Sequence, residues 1–319
     1  MKNFSFVLFV LFLLCPVCVT LGKTLPDQFN NKDVRGWIIL SDDMNAAIQT
    51  IKAAKEYDIN QLQLSHEIIH DLREIKNEKV CAQVNELVNL AHSEGINEVL
   101  LWDHSLYNID YYPERFRTGP GGTIDLDNPE FWEWLKDDYR QMLDRVSEAD
   151  GLVLTFIETG AYAERQFSKK MKSSEEKLAA VVNAISDVLI GERKKKLYIR
   201  TFAYSEEEYK GTTGCIEYLK YDEVILMMKE TPHDFFLTHP DNYYIQKMDR
   251  PVIVEFDLGN EYSGQGVVAN TWPEHVMKRW NSYIHCPNVT GYVARTDRYG
   301  NTSIVNTANA IQLYALKRM

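Results

Sequence analysis

The chain has 319 residues, and 35 Lys plus Arg against 46 Asp plus Glu leave a net charge of −11 at pH 7. The length admits one large α/β domain or two small ones, and 45% apolar with 25% charged residues excludes an intrinsically disordered chain. The acidic balance argues against a nucleic-acid partner, because phosphate binding needs clustered Lys and Arg; the densest basic run, Arg193 to Lys196, reads as a solvated helix end.

The first element in chain order is a leader. Lys2 precedes an apolar stretch from Phe4 to Leu21 that ends at the small residue Gly22, the pattern of a secretory signal peptide over residues 1–22. An uncleaved membrane anchor is the alternative; no later segment is apolar enough to span a bilayer. The expected location is therefore secreted or periplasmic. The remaining Cys81, Cys215 and Cys286 are odd in number, so the chain relies on its core and not on a disulfide framework. Asn288 and Asn301 fit the N-glycosylation pattern.

From residue 33 onward, short β-rich runs alternate with longer amphipathic stretches. The predicted strands are Gly36–Ser41, Ile59–Ser65, Ile96–Trp102, Gly151–Glu158, Leu197–Ala203, Glu223–Lys229, Val252–Leu258 and Val289–Arg295. Helical patterns cover Met44–Tyr57, Val80–Glu94, Pro129–Val146, Glu175–Ile190, Pro273–Tyr283 and Thr307–Leu316. Mostly apolar strands separated by helices imply a parallel sheet covered on both faces, and eight such units suggest a single-domain (β/α)8 barrel over residues 33–319. An open doubly wound sheet is the runner-up, but it expects a glycine-rich first turn where this chain has Ser41-Asp-Asp-Met.

Barrel chemistry sits at the C-terminal ends of the strands. The residues there are Asp42 and Asp43, His66 and Glu67, Asp103 and His104, Glu158, Arg200 and Tyr204, Lys229 and Asp234, Glu261 and Tyr262, then Arg295, Asp297 and Arg298. A rim this rich in carboxylates suits acid and base work on a sugar, and Trp102 is a candidate for stacking on one. One motif points elsewhere: His66-Glu67-Ile68-Ile69-His70 fits the HExxH zinc-protease pattern, which requires a helix and a third ligand downstream.

Three segments carry a family resemblance: LYIRTFAY (197–204), EVILMMKETPHDF (223–235) and VIVEFDLGNEYSGQG (252–266). Together they resemble the catalytic barrel of the xylan α-glucuronidases, glycoside hydrolase family 67, as does TIDLDNPEFWEWLKDDYRQMLDRVSEADGLVLTFIETG (123–160) upstream. The K-x-x-P-x-D-F and E-Y-x-G-Q pieces are its strongest motifs. The resemblance implies an inverting hydrolase with Glu158 as general acid and Asp234 with Glu261 as the pair that activates water. It also implies Arg200 and Lys229 as uronate-binding cations; Trp102, Asp103 and Tyr262, read from the rim, are further substrate-binding candidates. An oligosaccharide or polysaccharide is the expected partner, and no metal or cofactor is expected. Leu154 stands where the family carries a lysine, which thins the expected anion pocket, and the reading is of a divergent barrel without the family's flanking domains. A non-catalytic carbohydrate-binding barrel is the alternative reading.

Overall fold

The computed structural model describes residues 33–264, 268–297 and 303–317. The leader, Arg298 and Asn301 lie outside them. Eight parallel strands close into a barrel in chain order. They are β1 (Val34–Ile39), β2 (Gln61–Leu64), β3 (Glu98–His104), β4 (Gly151–Thr155), β5 (Lys196–Arg200), β6 (Ile225–Lys229), β7 (Val252–Asp257) and β8 (Val289–Arg295). The ring is sealed by β1 against β8, with Gly36 opposite Val293 and Ile38 opposite Arg295. The (β/α)8 expectation thus holds, with all eight strands within a few residues of their predicted places.

Side chains alternate across each strand, so two cores form. The inner one, inside the barrel, contains Ile38, Leu40, Leu100, Trp102, Val153, Tyr198, Ile225, Met227, Ile253 and Val293. The outer one packs the strands' other faces against the helices and includes Leu62, Leu101, Leu154, Ile199, Val254 and Phe256. Seven α-helices occur among the described residues: α1 (Met44–Ala53), α2 (Glu78–Ser93), α3 (Pro129–Arg145), α4 (Ser174–Ser186), α5 (Glu206–Gly214), α6 (Pro273–Tyr283) and α7 (Ile311–Lys317). Their starts are capped from sequence. Asp43 accepts from the Ala46 amide, Asn128 from Glu130 ahead of Pro129 at the first position, and Ser173 forms a capping box with Glu176. Asp43 is therefore a helix cap and not a rim catalyst.

Two features of the crossovers matter for the site. Helix α5, EEEYKGTTG, was not predicted, because only Tyr209, Gly211 and Thr212 of its residues are buried and it shows no apolar stripe. The sixth crossover has no α-helix; residues 230–251 contain only a short 3-10 turn, Ile245–Lys247. Helix α6 holds this long loop in place. Arg279 donates to the Pro240 carbonyl at 3.1 Å and pairs with Glu230 and Asp241, and Tyr283 donates to the Glu230 carbonyl.

Candidate active site

The strand faces that fill the barrel end, at its C-terminal mouth, in a layer of charge. Arg200 follows Tyr198 on the inner face of β5, Lys229 follows Met227 on β6, Glu255 follows Ile253 on β7, and Arg295 follows Val293 on β8. Glu255 is 0% exposed and sits between two guanidiniums. Arg200 binds it bidentately, Nε to Oε2 at 2.7 Å and Nη2 to Oε1 at 3.1 Å, and Arg295 Nε reaches Oε1 at 3.1 Å. Burial pushes the Glu255 carboxyl up, but Arg200, Arg295 and Lys229 outweigh it and hold it below its ordinary value.

Above this layer stand the three carboxylates expected to be catalytic. Asp234 accepts from Lys229 Nζ at 2.6 Å and from the Tyr262 hydroxyl. Burial alone would raise its pKa; the Lys229 ammonium and these hydrogen bonds bring it down to about 2. Glu261 pairs through Oε2 with Arg295 Nη1 at 2.9 Å. Glu158 lies three residues past the end of β4, at an exposed turn with φ of +62°, and accepts from the Tyr204 hydroxyl at 2.7 Å. Arg295 feels the charge of Glu261 and Asp234, and Glu158 feels Arg200 and Lys229, so the mouth is one electrostatic unit.

Glu158 does not have the surroundings of a protonated acid. Lost hydration pushes its carboxyl up, but the Tyr204 hydroxyl and the charges of Arg200, Lys229 and His104 outweigh that and hold it below its ordinary value. Asp257, on the inner face of β7 two residues above Glu255, is a carboxyl that is raised; burial pushes it up to about 6. Its Oδ2 accepts from the Glu261 amide at 2.6 Å, while Oδ1 is buried with no hydrogen-bond partner. Lys229 is the converse case: burial, then Arg200 and Arg295, lower it to about 7.

Three expected substrate-binding residues are buried. Asp103 is 0% exposed and points outward from β3, where it accepts from the Tyr139 hydroxyl at 2.6 Å, the Tyr107 hydroxyl at 2.8 Å and the Leu72 amide at 2.9 Å. It fastens the second loop and α3 to the barrel wall. Trp102 is 2% exposed inside the barrel; its Nε1 donates to Gln63 at 2.9 Å and its ring lies 4.9 Å beneath the Arg200 guanidinium, so no face is open to a sugar. Arg200 itself is 1% exposed and committed to Glu255. Tyr262 is in the mouth, stacked on Phe236 at 4.2 Å with a 28° tilt. Open aromatic rings beside these carboxylates include Tyr204, Phe236 and Tyr262, of which the sequence reading took only Tyr262 as substrate-binding.

The HExxH segment is not helical. His66 sits at a turn with φ of +50°, its ring 5.2 Å from Trp102, while His70 lies against His104, so the two His do not share a helix face. Cys81 and Cys215 are buried thiols outside the mouth, Cys81 on α2 and Cys215 just past α5. No helix among the described residues is long and apolar enough to cross a membrane.

The Asp234–Lys229 pair has a measurable consequence. A carboxyl whose folded pKa is about 2, below its unfolded value, stabilises the fold above about pH 4, and that stability is lost as pH falls through 2. In urea unfolding between pH 5 and 2, the stability gap between wild type and Asp234→Asn is expected to narrow by on the order of 1–2 kcal/mol. A constant gap would mean that Asp234 carries no such linkage.

Known structures share this architecture. A GH138 enzyme targeting pectin rhamnogalacturonan II is similar at a TM-score of 0.55 and 12% identity, over 89% of this chain and 38% of that one. CpGH84D is similar at a TM-score of 0.59 and 11% identity, over 90% of this chain and 45% of that one. This chain spans less than half the length of either. No protein-family model and no curated protein matches the sequence, so the resemblance to the xylan α-glucuronidases rests on its motifs. At these identities the likeness shows the barrel fold.

Proposed function

We propose that this protein is an exported glycoside hydrolase that cleaves a uronate-bearing glycosidic bond with inversion. The observation that carries the reading is the convergence of Glu158, Asp234 and Glu261, from three different loops, on one charged mouth whose exposed walls are Tyr204, Phe236 and Tyr262. Aromatic rings of this kind bind the apolar face of a sugar, and the two similar folds include an enzyme that targets pectin. Glu158 gives its proton to the leaving oxygen. Asp234 and Glu261 orient the attacking water and take its proton, each held in place by a cation and Asp234 also by a tyrosine.

The uronate preference rests on Lys229. Arg200, Lys229 and Arg295 are each buried and already paired with a protein carboxylate, so a sugar carboxylate reaches Lys229 only where Asp234 gives way to it. The expected preference for uronate over a neutral sugar is therefore modest, about tenfold. Free-sugar release from matched oligosaccharides capped with glucuronic acid or glucose measures it. Equal rates would remove the uronate and leave the hydrolase; release from neither would favour the second reading, a barrel that binds sugar without turnover. The ionised state of Glu158 is what speaks for that second reading.

A further inference from the structure

The half of the HExxH motif left over by the barrel mouth has another partner. His70 and Asp71, in the loop after β2, meet His104 at the end of β3, and one ligand atom from each lies within 4.8 Å of the other two. The imidazoles face one another, with centroids 3.9 Å apart and planes 31° from parallel. His104 Nδ1 lies 2.8 Å from the His70 carbonyl, which only accepts, so Nδ1 carries a proton and Nε2 is the nitrogen that would ligate a metal. Asp71 is held through Oδ2 by Arg73 at 2.9 Å; its Oδ1 lies 3.4 Å from His104 Nδ1 and has to swing toward Nε2 to share an ion with it.

We propose that His70, Asp71 and His104 form a binding site for a divalent transition-metal ion of the zinc class. Two imidazoles and one carboxylate suit zinc and its neighbours, whereas magnesium and calcium prefer all-oxygen shells. Three protein ligands leave a coordination position open, and Glu158 lies within electrostatic reach of both imidazoles. The second shell is built: a carbonyl orients His104 and a guanidinium orients Asp71. Bonds of about 2.1 Å require the donors to draw together by about 1 Å, which half-buried His70 can supply by a rotamer change. The sequence spacing misleads, because the turn at His66 sends its ring to Trp102 and leaves His70 to a partner on the next strand. The site stands whether or not the mouth hydrolyses sugar.

Equilibrium dialysis of the full chain against Zn²⁺, with Co²⁺ absorption as a report on coordination, tests it. One equivalent bound is expected, weakened at least about tenfold by His104→Ala and by Asp71→Asn, and unchanged in His66→Ala. If circular dichroism shows that His104→Ala has unfolded, Asp71→Asn decides. The proposal is overturned by a folded wild type that retains no ion, by undiminished binding in folded Asp71→Asn, or by equal loss in His66→Ala.

Discussion

Replacing Glu158 with glutamine is expected to lower sugar release by about 10²–10⁴-fold without unfolding the protein, the usual contribution of a general acid. The side chain is exposed and makes one hydrogen bond, to Tyr204, so glutamine keeps the shape and loses only the proton. Because Tyr204, Arg200 and Lys229 hold its carboxyl below the ordinary value, the protonated fraction shrinks early as pH rises, and kcat/KM is expected to fall from the acid side toward neutrality. Asp257→Asn is the discriminating companion. Its carboxyl is raised to about 6 and its Oδ1 lacks a partner, so a larger loss in that variant than in Glu158→Gln would reassign the acid.

Glu255→Gln is expected to destabilise the fold by about 3–5 kcal/mol, because it strands the Arg200 guanidinium beneath the mouth where water does not reach it and takes from buried Arg295 one of its two carboxylates. The wild-type trio is not thereby a large net stabiliser; the cost arises from removing one partner of a buried set. Glu133→Gln, at the exposed i,i+3 pair with Lys136, is the control and should stay within about 0.5 kcal/mol. Chemical denaturation of both variants reads the contrast directly. A loss below about 1 kcal/mol for Glu255→Gln would mean that the mouth rearranges or admits water.

The barrel was legible because strands covered on both faces must be apolar along most of their length, as β3 is over residues 99–102 and β8 over residues 292–294, and such runs survive without any periodicity argument. Helix α5 was not legible, since Glu206 to Gly214 buries little and carries its start signal only in Ser205 and the three glutamates after it. The rim was read by chain order alone, which ignores side-chain parity. Trp102 faces the barrel interior and His104 follows it there, while Asp103 between them must face the helices. The same parity in V-I-V-E-F-D would have put Glu255 and Asp257 on the inner face with Ile253, ahead of anything the structure adds. What no pattern in one sequence reveals is pairing across the barrel: that Arg200 is taken by Glu255, or that His70 meets His104.

The most direct test of the hydrolase reading is the anomeric form of the first sugar released, followed by proton NMR as an α-linked, glucuronic-acid-capped oligosaccharide is incubated with the wild-type protein. Inversion by the Glu158, Asp234 and Glu261 set gives the β-anomer first, with the α-anomer appearing only as the free sugar mutarotates. The α-anomer first would contradict it by requiring a covalent intermediate, and no free sugar from a folded protein that binds the oligosaccharide would contradict hydrolysis itself.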